Sequence, residues 1–308
     1  MNIDRYQPGF RLVEGDHVNQ IVDGVSLLQT RVDNVVTASL PDYYEASDGF
    51  ILGHPDYLPA FLRIQAAAPL DGGVLIEVPA GDFWLSGTLN VWKKLHIHGR
   101  SFGLQRSAVA TRLIWPKNVT GIRSWSGGAE VGYPGPANTG SAWATIEDIG
   151  VFCTDGSATT GHGIHMGSAL RLNRVNVQGW GGDGVHILAA NAAQGSRLGN
   201  NANGWYISDC IIRSNKGHGL YVGDADANAG TAIGVYSGDN VGWCFYDESY
   251  FGNIYIGCQA DGAGKGAVKG SGVFLNFYAE SQATALLPGA LVLGGTLGTD
   301  YNSPYLYI

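Results

Sequence analysis

Two short apolar runs, repeated in order down most of the chain, constrain the fold more than any other feature. The first run reads Ile149-Gly150-Val151, Val175-Asn176-Val177, Cys210-Ile211-Ile212, Ile233-Gly234-Val235, Cys258-Gln259-Ala260 and Phe277-Tyr278-Ala279, at intervals of 26, 35, 23, 25 and 19 residues. A second run follows each of the first five: Gly163-Ile164-His165-Met166, Gly184-Val185-His186-Ile187, Gly219-Leu220-Tyr221-Val222, Gly242-Trp243-Cys244-Phe245 and Gly272-Val273-Phe274-Leu275. In the middle three units the spacing from first to second run is constant, from Val175 to Val185, Cys210 to Leu220 and Ile233 to Trp243. A fixed internal spacing with a variable remainder is what stacked coils with loop insertions produce. The runs are rich in β-branched and aromatic residues, and no unit has room for a periodic helix, which excludes helical and leucine-rich solenoids. The expected fold is therefore all-β, a right-handed parallel β-helix. The first and third residues of each run point inward and stack on their equivalents about 4.8 Å away. On that register Cys210 and Cys258 are small buried hydrophobes.

The entrance to the solenoid is also readable. Asp56 is placed to cap a helix through Leu58, Phe61, Leu62, Ile64 and Ala68, ended by Pro69 and the Gly72-Gly73 pair. A first coil follows in Val74-Leu75-Ile76-Glu77-Val78 and the short runs after it. Upstream, Val18, Ile21, Val25, Leu28, Val32 and Val35 alternate at three and four residues, a heptad seam with valine at each a position. Residues 1–50 are accordingly expected to form a short α-helical attachment and trimerisation segment, and residues 51–308 the β-helix with its capping helix. An amphipathic helix packed on its own domain is the alternative reading of the seam.

Composition narrows the partners. Gly numbers 47 and charged residues make up only 14%, yet apolar residues reach 45%, which is a turn-rich folded chain rather than a disordered one. The net charge of -8 opposes association with nucleic acid or an anionic membrane. Cys153, Cys210, Cys244 and Cys258 form no CxxC pair or His/Cys cluster, so no metal or other cofactor is expected. No basic segment leads into an apolar run at the N-terminus, and no membrane-spanning apolar stretch occurs, so synthesis in the cytoplasm without a signal peptide is expected.

The stretch from Asp56 to Gly103, with AFLRIQAAAPLDGGVLIEVPAGDFWLSGTLNVWKKLHIHGRSFG at its heart, resembles the opening coil of the pectate-lyase-like superfamily. Within it, the GFRLVEGDHVNQIVDGV segment and the IGCQADG and LNFYAES coils look most like bacteriophage tailspikes and related particle-spike proteins. The resemblance implies a homotrimer on the surface of a virion or phage-like particle, joined to other particle proteins through its N-terminus, with a bacterial surface polysaccharide as ligand. The calcium-binding carboxylates and arginine base of pectate lyases have no counterpart in this sequence, which weighs against catalysis.

In a stacked fold, function is sought down columns. The middle position of the second run gives His165, His186, Tyr221, Cys244 and Phe274, a largely aromatic outward stripe suited to pyranose faces, or else a ladder of rings that stabilises neighbouring coils. The residue after the first run gives Phe152, Gln178, Arg213, Tyr236, Asp261 and Glu280. Asp261 and Glu280 fall one coil apart, and paired carboxylates at roughly 5 to 9 Å are the equipment of glycoside hydrolysis; the alternative is a solvated acidic edge. The expected sugar contacts are His165, His186, Tyr221, Phe274, Tyr236 and Arg213, and the expected catalytic pair is Asp261 and Glu280. Three functions follow: a polysaccharide-binding spike, a depolymerase acting as glycosidase or lyase, and a purely structural fibre or connector.

Overall fold

The computed structural model describes residues 36–68, 73–91, 95–102, 110–124, 144–154, 156–188, 202–223, 226–280 and 289–297. The heptad residues Val18, Ile21, Val25, Leu28, Val32 and Val35 lie outside them. The chain is a parallel β-helix. Among the described residues its strands pair into a 15-stranded and a 7-stranded sheet, parallel throughout, with a two-stranded antiparallel ribbon at Phe50–Ile51 and His54–Pro55.

Each coil has three walls. The larger sheet is folded along its length into two of them, and the crease is a column of left-handed residues: Asp148, Arg174, Asp209 and Asn276, with φ between 50° and 55°, and Gly234 and Gly257 at 61° and 59°. One residue in that conformation turns a strand sharply without breaking the ladder on either side. The first wall precedes the crease, as in Tyr206–Ser208, Thr231–Ile233 and Ile254–Ile256; the second follows it, as in Ile211–Arg213, Tyr236–Gly238 and Gln259–Asp261. The third wall is the smaller sheet, including Ile164–Met166, Val185–Leu188, Leu220–Gly223, Trp243–Asp247 and Gly266–Gly270.

Inward side chains of all three walls merge into one core, among them Ile146, Leu172, Ile207, Ala232, Tyr255 and Phe274 on the first wall alone. Turns are sealed by buried asparagines. Asn240 Oδ1 accepts the Asn215 backbone N–H at 3.1 Å, and Asn215 Oδ1 accepts that of Trp180 at 3.1 Å, so each coil satisfies the donors of the next. At the N-terminal end, helix Leu58–Ala67 buries Ala60, Phe61 and Ile64 over the open core, and Asp56 accepts the N–H of Leu58 at 3.0 Å. The strand Val36–Ser39 pairs with Val74–Glu77, so the first wall already includes residue 36.

The stacking principle holds while two of the expected alignments slip by two residues. Cys210 stacks on Val235, whose neighbour Tyr236 donates its N–H to the Cys210 carbonyl at 2.9 Å; Ile233 lies before the crease, paired with Ser208. The apparent repeat Ile233-Gly234-Val235 straddles the bend, and the true equivalent is Val235-Tyr236-Ser237. On the third wall Gly242 is equivalent to Gly217, the earlier member of the Gly217-His218-Gly219 pair, and Cys244 stands in the place of Gly219.

Candidate functional site

The first wall carries the principal candidate. Its outward side chains form two columns, one through His96, Thr145, Arg171, Tyr206 and Thr231, the other through His98, Glu147, Asn173, Ser208 and Ile233. Thr145, Glu147, Arg171, Asn173, Tyr206, Ser208 and Thr231, with Gly204, Trp205 and Ala229, line a groove of about 640 Å³. Strand alternation puts these groups on one face, and the rung spacing sets them at regular intervals along the axis.

At its upper end the groove is held by contacts between side chains of successive rungs. Glu147 Oε1 meets His96 Nε2 at 2.5 Å, Glu147 Oε2 accepts Asn173 Nδ2 at 3.2 Å, and Ser208 Oγ donates to Asn173 Oδ1 at 3.0 Å. Behind them Arg174 grips Asp148 through two bonds of 2.7 and 2.6 Å, which, as the largest cause, raises the guanidinium's pKa further. His98 Nδ1 lies 3.1 Å from Glu77. A carboxylate against an imidazole is equipment for proton transfer, while the guanidinium, amide, hydroxyls and exposed Tyr206 ring suit a polyhydroxylated ligand.

The third wall carries the histidines expected to contact sugar. His165, His186 and Tyr221 do occupy one outward column, continued by Tyr246 and Lys269 rather than by Cys244 and Phe274. Cys244 and Phe274 are fully buried, and Phe274 belongs to the first wall, where it pairs with Tyr255. The rings also pack on one another. His162 stacks on His186 with centroids 4.1 Å apart, His186 stacks on Tyr221 at 4.8 Å, and His165 meets His186 edge-on at 5.1 Å. Rung spacing and ring-stacking distance nearly coincide, so faces that would meet a pyranose are occupied by the neighbouring ring.

Beneath this stack runs a ladder in which side chains bond the backbone of the next coil. His162 Nδ1 accepts the Asp183 N–H at 3.0 Å, Asp183 Oδ1 that of His218 at 2.6 Å, and His218 Nδ1 that of Trp243 at 2.8 Å. His186 Nδ1 donates to Asp183 Oδ2 at 2.7 Å. Burial, and after it the charge of His186, depresses His162 to about 4 and His165 to about 3, and burial first of all lowers His218. Burial alone would raise Asp183, but hydrogen bonds from His186 and the His218 backbone, with nearby imidazole charge, bring it below the usual carboxylate range. His162, Asp183 and His186 bring ligand-type atoms within 4.8 Å of one another. Because the two rings lie face to face, their in-plane lone pairs point side by side rather than at one centre, which favours the ladder over a metal site.

On the second wall Asp261 and Glu280 are direct neighbours in register. Arg213 shares their column, but Tyr236 does not; Gly238 takes its place, for the reason given by the crease. Tyr236 stands two residues earlier, in the neighbouring outward column with Ile211 and Gln259, and its hydroxyl donates to Asp261 Oδ2 at 3.3 Å, as Tyr278 does to Glu280 Oε2 at 2.9 Å. Burial, then the Asp261 charge, pushes the Tyr236 phenol up to about 12. Arg213 Nε donates to Gln178 Oε1 at 3.3 Å. Neither carboxylate lines the first-wall groove.

Sequence reasoning missed the groove residues. Its signal lay just before the first run, where Asp148, Arg174 and Asp209 stand; the residues one and three places upstream of each are Glu147, Asn173 and Ser208, and Thr145, Arg171 and Tyr206.

No family model matches the chain. No curated protein matches it either. Among solved structures, a pectin methylesterase from Erwinia chrysanthemi aligns at 11% identity over 86% of this chain and 91% of its own, with a TM-score of 0.45. The A-module of an Azotobacter vinelandii mannuronan C-5 epimerase aligns at 13% identity over 85% and 90%, with a TM-score of 0.36. The fold assignment rests on the strand pairing described above.

Proposed function

We propose that the protein is the spike of a phage-like particle and binds a bacterial surface polysaccharide in the first-wall groove. The observation that carries the ligand half is the groove itself: charged, amide and hydroxyl groups with an exposed tyrosine ring, repeated at the rung spacing along a rigid wall. A chain of sugars suits such a site, since each residue meets hydrogen-bonding groups on successive rungs and the wall needs no ordering on binding. The particle half is supported by the sequence resemblance of the N-terminal segment and the IGCQADG and LNFYAES coils. Screening the full chain on an array of capsular and O-antigen polysaccharides tests the reading. Arg171→Ala and Tyr206→Ala are expected each to weaken binding about tenfold, the scale of one hydrogen-bonded or stacked contact, without lowering the melting temperature. Binding unaffected by both substitutions overturns the assignment of the groove.

A second reading is favoured by one observation, the in-register pair Asp261 and Glu280. Adjacent carboxylates on neighbouring rungs fit the retaining geometry of glycoside cleavage. If the spike is a depolymerase of that kind, incubation with the polysaccharide it binds releases reducing ends, and Asp261→Asn with Glu280→Gln abolishes release while binding persists. Release that survives both substitutions removes the pair from the role.

A further inference from the structure

We infer that the foot of the third wall carries a second ligand site, separate from the groove, which takes a sugar acid by its carboxylate. The outward column His165, His186, Tyr221 and Tyr246 ends, among the described residues, on Lys269 of strand Gly266–Gly270. There the surface opens into a pocket of about 360 Å³, lined by Tyr246, Asp247, Glu248, Lys269, Ser271 and two glycines. What the pocket offers a ligand follows from which of its groups are already committed. Asp247 is buried, and its carboxylate accepts the Ser249 N–H at 2.9 Å, Asn253 Nδ2 at 2.9 Å and the Tyr255 hydroxyl at 2.8 Å. Glu248 accepts a phenol hydroxyl on each oxygen, that of Tyr221 on Oε2 at 3.0 Å and that of Tyr246 on Oε1. Lys269 pairs with neither carboxylate. Its Nζ donates to the Tyr246 hydroxyl at 2.8 Å and lies 4.2 Å from the centre of that ring, with no carboxylate of the described residues at ion-pair distance. An ammonium has three donors, so two are left for an anion. Because the phenol and the ring face already restrain the side chain, little rotamer freedom is left to lose when an anion arrives.

A second, independent feature sets the rest of the ligand. Ser271 Oγ donates to the Ser249 carbonyl at 2.8 Å, which ties the pocket to the turn at residues 249–252. That turn holds Tyr250 and Phe251 in water, 77% and 80% exposed, their rings edge to face with centroids 4.9 Å apart. Adjacent aromatic rings left uncovered beside a polar pocket suit the apolar face of a pyranose. An inorganic anion has no use for these rings, and a neutral sugar has none for the ammonium. A carboxylate on a hydroxylated ring meets both, with the lone pairs of Ser271 Oγ and the exposed Glu248 as acceptors for its hydroxyls. That chemistry is shared by a uronic acid unit within a polymer and by a free sugar acid.

The full chain is tested with glucuronate, glucose and inorganic phosphate by saturation-transfer NMR, and with polygalacturonate by affinity electrophoresis. A uronate, free or polymeric, is expected to bind at least tenfold more tightly than glucose or phosphate, and to weaken as salt is raised. Lys269→Gln, and separately Tyr250→Ala combined with Phe251→Ala, are each expected to weaken it about tenfold, the scale of one charged or stacked contact, with the melting temperature unchanged. Lys269→Arg keeps the charge and is expected to retain binding. Should Lys269→Gln not fold, the exposed aromatic pair decides. Preference for the polymer assigns the site to a polysaccharide and binding of the free acid alone to a small solute; either leaves the inference standing. No uronate binding, phosphate bound as tightly as glucuronate, or binding unchanged by the substitutions overturns it. Uronate binding that Arg171→Ala abolishes and Lys269→Gln spares puts the ligand in the groove and overturns this site alone. Uronate binding lost in Lys269→Gln, beside a polysaccharide array on which Arg171→Ala and Tyr206→Ala change nothing, keeps this site and removes the groove reading.

Discussion

Acidification is expected to loosen the solenoid at its third wall, and the size of the effect follows from two histidines. Burial is the main cause that holds His165 at about 3 and His162 at about 4, against 6.5 in an unfolded chain. The unfolded chain therefore takes up protons first as pH falls. Stability is fully present above about 6.5 and declines below it by about 1.4 kcal/mol per pH unit for each histidine, until the folded groups titrate in turn near 4 and 3. Between pH 6.5 and 5.0 this amounts to about 2 kcal/mol each and about 4 kcal/mol together, a sizeable share of the stability of an ordinary domain. His218, lowered by burial, adds in the same direction. Asp183 acts elsewhere: its folded pKa lies below 3.8, so its contribution is lost only below that pH. Urea denaturation followed by tryptophan fluorescence at pH 7.5, 6.5, 5.5 and 5.0 should show a midpoint that is flat to pH 6.5 and then falls. His165→Asn, which cannot titrate, should remove about half of that fall. Midpoints constant down to pH 5.0, or an unchanged slope in the variant, would refute the claim that burial holds these imidazoles neutral.

Two further substitutions separate structural from ligand-contacting roles. Asp183→Ala leaves the His218 N–H and His186 Nδ1 without their acceptor and should cost about 3 kcal/mol at pH 7.5 by urea denaturation; a loss under 1 kcal/mol would mean the ladder is dispensable. Phe274→Ala removes a ring stacked on Tyr255 at 4.2 Å in the core and should cost about 3 to 5 kcal/mol, with polysaccharide affinity unchanged in the protein that remains folded.

The misassignments share one cause. Apolar triplets and glycines announce that coils stack, but the register of one coil on the next is decided by which residue turns the corner. Gly234, at φ 61°, is such a corner residue, yet in the sequence it reads as the middle of an apolar triplet, which displaced Tyr236 by two positions. Gly242 likewise reads as the wrong member of a glycine pair, which puts Cys244 where Tyr246 stands, and Gly272-Val273-Phe274-Leu275, a first-wall strand ahead of the Asn276 corner, reads as a third-wall run, which puts Phe274 where Lys269 stands. Asp261 and Glu280 came out as neighbours because the triplets Cys258-Gln259-Ala260 and Phe277-Tyr278-Ala279 each follow directly on a corner residue, Gly257 and Asn276.

Local chemistry along the chain was enough to specify a parallel β-helix, its helical cap and the buried cysteines Cys210 and Cys258, because alternation, turn residues and capping act over a few positions. The groove, the stacked imidazoles and the Lys269 pocket emerged only in three dimensions. Each is assembled from residues on successive coils, and whether a ring shows its face or its edge, or a carboxylate meets an imidazole, is settled by the register and by what lies one rung away.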